Sequence, residues 1–317
     1  MPLSLFEVCC LPIVILTLAS LAWVRRERGE RMHVLLMEYV ALALAGYIGE
    51  ETCISWYQFY HYAAGWHFRL DYVPLLIVLI WPLFILSGRD VGALFFPHAP
   101  AWLATSLLVL FDASLVEVIA VRAGYWSWAE AGHLAVPIIG ILGWSFFAVG
   151  ASVGLARRSE SAPLRAPLST IAFAFVSTHV LIFGAWWTFF RFTVRGDLGL
   201  YGFVPLVALA LVGLGFVVRG STRAHARAQE APFASRPMRL RALLRVVFPR
   251  LTATGLFVLI AARTVVSWRD PLLAHIAIVA VTYSIASLLY LYVRVERKTS
   301  AVPEVGADEE RHDLRTS

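Results

Sequence analysis

Four carboxylates stand inside stretches of this sequence that are otherwise apolar enough to cross a membrane. Glu50 and Glu51 interrupt one stretch, and Asp112 and Glu117 interrupt another. An ionisable side chain at the centre of a bilayer costs about 2.5–3.5 kcal/mol on insertion scales, so it usually faces the interior of a helix bundle and serves a function. We therefore predict that these four residues are the candidate catalytic groups.

Aromatic residues follow both stretches. Residues 56–60 read Trp-Tyr-Gln-Phe-Tyr, and residues 125–128 read Tyr-Trp-Ser-Trp. Burial disfavours the charged form of a carboxyl group, and the face of an aromatic ring attracts a cation. Acids beside aromatic walls therefore predict proton chemistry on an apolar substrate. The candidate substrate-binding residues are Tyr57, Tyr125, Trp126, Trp128 and Trp144.

Helical geometry limits how many of these carboxylates can share one cavity. Asp112 and Glu117 are about 140° apart around a helix, and Glu50 and Glu51 are about 100° apart. Only one member of each pair is expected to face a common cavity, and the sequence leaves open which one. The structural alternatives are an acid that reaches the membrane interface, an ion pair at Asp112 and an interfacial belt of aromatic residues.

The composition is that of a membrane protein. Hydrophobic residues make up 59% of the 317 residues and charged residues only 15%, whereas a soluble domain carries about 25% charged residues. The apolar stretches do not alternate polar and apolar residues, as the strands of a membrane barrel do. A bundle of helices is therefore expected.

Nine stretches come close to the roughly 20 apolar residues that a transmembrane helix needs. We predict an all-α, polytopic transmembrane helical bundle with nine spans. Eight spans are the alternative, because the third stretch is short and the last two are nearly continuous. The stretches are residues 5–24, 33–54, 71–87, 101–121, 134–156, 168–190, 200–218, 251–268 and 272–293.

The distribution of basic residues predicts the orientation. With the N-terminus outside, 21 of the 27 Lys and Arg residues lie on the cytoplasmic side and five lie outside, as the positive-inside rule requires. The C-terminus is then cytoplasmic, and we expect the protein in the inner (cytoplasmic) membrane of the cell. This placement accounts for the net charge of +6, so no nucleic-acid partner is predicted.

The bundle is predicted to occupy residues 1–298 and to be followed by a polar, disordered tail, residues 299–317. A basic connection, residues 219–250, joins two of the spans. Its segment Pro237–Arg250 alternates Arg with Leu and Val at helical spacing, so it is expected to lie along the membrane surface. No internal repeat is recognised, and its absence weakens a transporter interpretation.

The sequence contains no recognisable metal or cofactor motif. The three cysteines, Cys9, Cys10 and Cys53, do not form a CxxC pair, and the histidines lack the spacing of a zinc or di-iron site. The chain also has no DDxxD-type acidic cluster and no glycine-rich phosphate loop. We therefore predict that the protein uses neither a metal nor a cofactor.

The stretch from Asp112 to Trp144 carries a family resemblance. Downstream of Asp112 come Gly-Tyr-Trp at residues 124–126, then Trp128, Pro137 and a Gly-Trp pair at 143–144. In this order and approximate spacing, the stretch resembles the carotenoid biosynthesis family of integral-membrane 1',2'-hydratases, the bisanhydrobacterioruberin hydratase type.

A second stretch extends the resemblance toward the N-terminus. Val-Pro-Leu at residues 73–75 leads into a helix with Trp81, and Glu50 lies upstream. The matching region covers about residues 45–150, roughly a third of the chain. One departure is Gly140, which stands where the family pattern has asparagine.

The resemblance implies a lyase, specifically a hydro-lyase that adds water across a terminal double bond of a carotenoid. It also implies an isoprenoid substrate in the lipid and other membrane enzymes of the carotenoid pathway as partners. The proton donor is expected to be Asp112 or Glu50, and the water-directing base Glu117 or Glu51. The aromatic side chains named above would stabilise the intermediate cation.

Two other functions fit the same residues. An integral-membrane terpene cyclase would generate the same cation and capture it with a second double bond. A non-catalytic lipid-binding or transport protein would use the cavity without reacting with its contents. Product mass separates the first from a hydratase, because cyclisation leaves the mass unchanged whereas hydration adds one water.

Overall fold

The structure, a computed structural model, describes residues 3–27, 29–96, 99–130, 135–159 and 161–190, together with Gly255. Within these ranges, six helices are long and apolar enough to cross a membrane. The described part of the chain is therefore a bundle of apolar, membrane-type helices.

The remaining predicted segments lie outside the described residues. They are the spans 200–218, 251–268 and 272–293, the connection 219–250 and the tail 299–317.

The six helices follow one another along the chain, and their connections hold four short strands. The helices are α1 (Leu3–Glu27), α2 (Met32–Tyr57), α3 (Leu75–Phe95), α4 (Ala101–Arg122), α5 (Ile138–Leu155) and α6 (Arg165–Ala185), and α6 continues into a π-helix, Trp186–Phe190. The strands are β1 (Tyr60–Tyr62), β2 (Arg69–Leu70), β3 (Val73–Pro74) and β4 (Trp126–Trp128).

The first six predicted spans coincide with these helices, and the third needs the largest correction. The span predicted at 71–87 begins at Leu75 and ends at Phe95. Asp71 has a left-handed φ of 51°, and β3 pairs with β2, so the chain turns just before the helix. Pro74 then occupies the N-cap, where its missing N–H costs no helical hydrogen bond.

Successive helices run in opposite directions, so the bundle has two distinct ends. The strands lie at one end, which we call the strand end. At the other end Arg25 of α1 lies 3.7 Å from Glu38 of α2 and 3.6 Å from Asp90 of α3, measured between side-chain nitrogen and oxygen atoms. We call this the arginine end.

A two-stranded antiparallel ribbon, β1 with β4, connects the ends of α2 and α4. Its register pairs Tyr60 with Trp128, His61 with Ser127 and Tyr62 with Trp126. The all-α prediction omitted this ribbon, because strands of three residues show no periodicity in a sequence. Tyrosine and tryptophan nevertheless favour extended strands. Gly124, with φ of 73°, supplies the left-handed turn between α4 and β4.

Glycines allow α5 and α6 to approach closely. A side chain at Gly150 would lie 2.0 Å from the carbonyl oxygen of Phe173, and one at Gly154 would lie 2.4 Å from the backbone of Thr170. Small residues spaced four apart often line the interfaces of membrane helices for this reason. The pair holds α5, which contributes one tryptophan to the site described below.

Candidate active site

The β1–β4 ribbon turns four aromatic side chains toward the bundle. Side chains alternate between the two faces of a strand, so Tyr60 and Tyr62 share a face with Trp126 and Trp128. The intervening His61 and Ser127 lie on the exposed face and contact each other at 2.9 Å. The ribbon thus presents two phenols and two indoles to the ends of α2 and α4.

Glu50 of α2 receives the two phenols of the ribbon. The hydroxyl groups of Tyr60 and Tyr62 both donate to its Oε2, the latter at 2.8 Å. The indole of Trp81 on α3 donates to Oε1 at 2.9 Å. Glu50 is buried, and its three described hydrogen bonds all come from uncharged aromatic side chains.

Glu117 of α4 receives the two indoles of the ribbon. Trp126 and Trp128 donate to its Oε2 at 2.9 and 3.1 Å. Trp144 on α5 donates to Oε1 at 2.7 Å. Glu117 is also buried, so it and Glu50 are held in the same manner by neighbouring sets of donors.

The two sets of donors repeat the same order along the chain. Each set begins with a helix that carries the glutamate near its C-terminal end. A strand follows and supplies two donors that are two residues apart. A proline then precedes a second helix, and the seventh residue of that helix is the tryptophan that supplies the third donor. The first unit is Glu50, Tyr60, Tyr62, Pro74 and Trp81, and the second is Glu117, Trp126, Trp128, Pro137 and Trp144.

This repeated order corrects the prediction that the chain has no internal repeat. The two units use different aromatic residues on their strands, and loops of unequal length separate their parts. The sequence therefore shows no repeat at a fixed period, although both units hold their glutamate with the same arrangement of helix, strand, proline and tryptophan.

Both glutamates line one cavity of about 60 Å³. One water molecule needs about 10–15 Å³ of such space, so the cavity has room for several waters or a small hydrocarbon group. Apart from the two acids and their donors its wall is mostly apolar, with Ile77 and Phe147 among the lining side chains. Within the described residues no basic side chain lines it.

Two glycines make room for the indoles. A side chain at Gly46 would lie 2.8 Å from the ring of Trp81, and one at Gly140 would lie 2.4 Å from the ring of Trp128. Real Cβ atoms do not approach other atoms so closely. Gly140, the departure from the family pattern, is thus the position against which Trp128 packs.

The phenols of the ribbon remain protonated donors. Burial, followed by the charge of Glu50, raises the pKa of both Tyr60 and Tyr62 well above the usual value for tyrosine. Each hydroxyl group therefore keeps its hydrogen near neutral pH and donates it to the carboxyl group.

The structure brings together two of the four candidate catalytic residues. Glu50 and Glu117 share the cavity, whereas Asp112 is buried elsewhere and Glu51 lies outside the lining. Glu51 instead accepts a hydrogen bond from the backbone N–H of Tyr72 at 3.4 Å. Helical geometry predicted that only one acid of each pair would face a common cavity, and the cavity is lined by Glu50 but not Glu51, and by Glu117 but not Asp112.

Three of the five candidate substrate-binding residues, Trp126, Trp128 and Trp144, line the cavity. Tyr125 packs instead against the ring of Phe6, with the ring centroids 4.3 Å apart. Tyr57 also lies outside the lining, and its hydroxyl group contacts Nδ1 of His179 at 2.9 Å.

His179 of α6 contacts two side chains of α2, those of Thr52 and Tyr57. Its Nε2 lies 2.9 Å from Oγ1 of Thr52, and that hydroxyl group already donates to the carbonyl of Ile48 at 2.6 Å. Nε2 must therefore carry the hydrogen, and Nδ1 accepts the hydrogen of Tyr57. This assignment makes Tyr57 part of a helix–helix contact.

Sequence reasoning did not include Tyr60, Tyr62 and Trp81 among the candidate site residues. The pattern aromatic–polar–aromatic at residues 60–62 recurs at residues 126–128, and this recurrence is the signal that could have identified the two tyrosines. Trp81 could have been found from its equal spacing to a preceding proline, which Trp144 shares.

Glu7 is a further buried acid that the sequence analysis did not consider. It lies on α1, and its carboxylate accepts the backbone N–H groups of His67 and Phe68 at 3.0 and 3.3 Å. These bonds fasten the loop between β1 and β2 to α1, so Glu7 has a structural role at the strand end.

No group of three or more His, Cys, Asp or Glu side chains is placed to hold a metal ion within the part of the chain that the structure describes.

The chain matches no protein-family model, no curated protein and no solved structure. The family resemblance therefore stays a prediction from the residues quoted for it.

Proposed function

We propose that the protein is a membrane enzyme that hydrates a terminal double bond of an acyclic isoprenoid, with a carotenoid as the first candidate. The observation that carries the proposal is the cavity that Glu50 and Glu117 both line. Among the described residues, only uncharged aromatic side chains donate hydrogen bonds to these two carboxyl groups. Acid–base chemistry needs two such groups, and a hydrocarbon needs the apolar wall.

Glu50 is the proton donor in this proposal. Its carboxyl group transfers a proton to the less substituted carbon of the double bond, where a C–H bond forms. The π electrons make that bond, so the other carbon becomes a tertiary cation. Glu50 is assigned this role because Tyr60 and Tyr62 give it hydroxyl partners, and hydroxyl groups exchange protons far more readily than indole N–H groups do.

The indoles that surround Glu117 stabilise the cation. The faces of Trp126, Trp128 and Trp144 carry partial negative charge, and an aromatic face attracts a desolvated cation by about 2 kcal/mol. The negative charge of an ionised Glu117 would add to this attraction. The apolar wall excludes all but a few waters, which limits competing reactions.

Glu117 is the water-directing base. It accepts the proton of a water molecule whose oxygen bonds to the cation, so the net reaction adds one H₂O and consumes no proton. Three indole N–H groups fix the carboxylate in place, and a fixed base is what directional attack requires. The proton then returns from Glu117 to Glu50 through the water that the cavity can hold.

We also propose nine spans in the inner membrane, with the N-terminus outside and the C-terminus cytoplasmic. The excess of basic residues on the predicted cytoplasmic side supports this, and so does the position of Arg25 and Arg158 at one end of the bundle. A fluorescent reporter fused after Ser317 should be bright, and alkaline phosphatase fused after Gly65 should be active.

The decisive test is the mass of the product. Co-expression in a host that accumulates lycopene should yield pigments heavier by one or two waters, and Glu50→Gln should abolish them. The matched control is Glu51→Gln, because Glu51 is the neighbouring residue and does not line the cavity.

Other outcomes identify the alternatives. A new product of unchanged mass would indicate the cyclase. If no new product forms from C40 or C50 acyclic carotenoids, the proposed reaction is wrong. A lipid-binding or transport protein would then be favoured. The absence of an internal repeat no longer argues against a transporter, because the two units around the cavity repeat the same order of residues.

A further inference from the structure

A second cavity lies on the other side of the indoles. It has a volume of about 100 Å³ and runs between α1 and α3. We call it the α1–α3 slot; its walls include Phe6, Val14 and Thr17 of α1, and Leu76, Phe84 and Ser87 of α3. The slot shares four wall residues with the cavity of the two glutamates, namely Ile77, Trp81, Trp126 and Trp144.

The chemistry of the slot selects a hydrocarbon. Its two hydroxyl groups are occupied by their own helices, since Thr17 donates to the carbonyl of Ile13 at 2.8 Å and Ser87 to that of Phe84 at 3.4 Å. The rest of the wall is aliphatic, aromatic or thiol. Apolar cavities of this kind stay dry and bind apolar ligands.

The slot is elongated along the helices. Its lining extends from Phe6 to Thr17 on α1 and from Leu76 to Ser87 on α3, about 16 Å in each case at 1.5 Å per residue. The cavity of the glutamates, about 60 Å³, and the slot, about 100 Å³, are both smaller than the roughly 300 Å³ or more of a site that encloses a whole organic ligand. The slot therefore has room only for the part of a long substrate that adjoins the reacting end.

We propose that the α1–α3 slot binds the segment of an acyclic isoprenoid that adjoins its terminal double bond, and that this double bond reaches Glu50 and Glu117. Three shared indoles lie between the two cavities: the N–H groups of Trp81, Trp126 and Trp144 hold the two carboxylates, and the same side chains line the slot. The chain and the reacting end thus contact the same residues. The part of this inference that places the double bond at the two acids rests on the proposed function, whereas binding of a hydrocarbon in the slot does not.

The test compares two valine positions on α1. Val14 lines the slot and is 7% exposed, whereas Val8 is 57% exposed and does not line it. Full-length protein is incubated with lycopene in detergent, and the pigment retained after size-exclusion chromatography is measured by absorbance. Val14→Phe should retain about tenfold less lycopene than wild type because the added ring fills the slot, and Val8→Phe should stay within about twofold.

A second variant keeps the test decisive if Val14→Phe does not fold, as judged by its elution profile. Ser87→Leu fills the far end of the slot and should also retain less lycopene. Equal retention by wild type and by a folded slot-filling variant would overturn the inference. Retention by wild type no greater than that of protein-free micelles would also overturn it.

Glu117→Gln separates this inference from the proposed reaction. It should stop hydration yet retain lycopene as wild type does. If wild type binds lycopene in the slot but forms no hydrated product, the reaction is wrong and the slot stands. If hydrated product forms equally in wild type and Val14→Phe, the reaction stands and the slot does not hold the chain.

Discussion

The two ends of the bundle bury acidic residues in opposite ways. At the arginine end, Glu30 lies 2.8 Å from Arg25 and 3.3 Å from Arg158, and Glu38 and Asp90 lie within 4 Å of Arg25. At the strand end, Glu50 and Glu117 meet tyrosine and tryptophan.

The partner explains what each acid can do. An arginine compensates the charge of a carboxylate, and removing either partner leaves an uncompensated buried charge. An uncharged donor orients the carboxyl group and leaves its charge uncompensated. Such a group remains available for proton transfer or for stabilising a cation. The contrast favours a structural role for the arginine end and, under the proposed function, a chemical role for the strand end.

The largest expected effect is on catalysis at the strand end. Glu117→Gln should lower the yield of hydrated product by about 10²–10⁴-fold, because a general base contributes about that much. Asp112→Asn, on the same helix but outside the cavity, should stay within about threefold of wild type. Pigments extracted from cells that accumulate lycopene provide the measurement. Equal losses in both variants would remove the distinction between Glu117 and Asp112.

The next effect is on stability at the arginine end. Arg25→Ala removes the arginine that lies within 4 Å of Glu38 and Asp90 and leaves Arg89 as a basic neighbour of both acids, which should lower the free energy of unfolding by about 3 kcal/mol. The exposed neighbour Arg26→Ala is the matched control and should change it by less than about 0.5 kcal/mol. Thermal unfolding in detergent measures both. Activity per folded molecule should be unchanged, and a selective loss of activity would contradict the assignment.

A smaller effect is expected from one phenol. Tyr62→Phe removes one of the three donors to Glu50. Glu50 becomes charged as it gives up its proton, and a hydrogen bond to a charged group contributes about 1.5 kcal/mol, so the hydration rate should fall by about tenfold. Tyr39→Phe is the control, because the Tyr39 hydroxyl group donates to the carbonyl of Leu79 at 2.8 Å and Tyr39 does not line the cavity of the glutamates. It should lower the melting temperature and leave the rate per folded molecule unchanged.

The smallest effect concerns pH. Burial by itself would raise the pKa of Glu30, but hydrogen bonds and charge from Arg25 and Arg158 hold it below the usual value. Its contribution to stability is therefore present above about pH 4.3 and is lost as the pH falls through the folded-state pKa. The stability difference between wild type and Glu30→Gln, about 1 kcal/mol or less for a partly exposed pair, should shrink between pH 7 and pH 3. A constant difference would show that the ion pair contributes nothing.

The helices of the described region could be predicted from sequence because burial of about 20 apolar residues is a local property. The α4 prediction, residues 101–121, differs from Ala101–Arg122 by one residue. The predicted start of α3 was wrong because the true start depends on the pairing of β2 with β3, and counting apolar residues along the chain does not detect strand pairing. The same holds for β1 and β4, whose partners are far apart in the chain.

The candidate site was predicted in part for a similar reason. Helical angles show that Glu50 and Glu51 cannot both face one cavity, but only packing decides that Glu50 does so. Tyr60 and Tyr62 were missed because their role depends on pairing with Trp126 and Trp128 in a ribbon. Residues that act locally were found, and residues that act through a distant strand were not.

The repeated units of the site have a consequence for biosynthesis. Everything that holds the first glutamate, from Glu50 to Trp81, is translated before α4 begins at Ala101. The first half of the site can therefore form in the membrane while the second is still on the ribosome. Until Trp126–Trp128 arrives, β1 has no partner strand, but its three residues offer other chains too short an edge for stable pairing. The ribbon that joins the two halves can therefore form only after residue 128 has been synthesised.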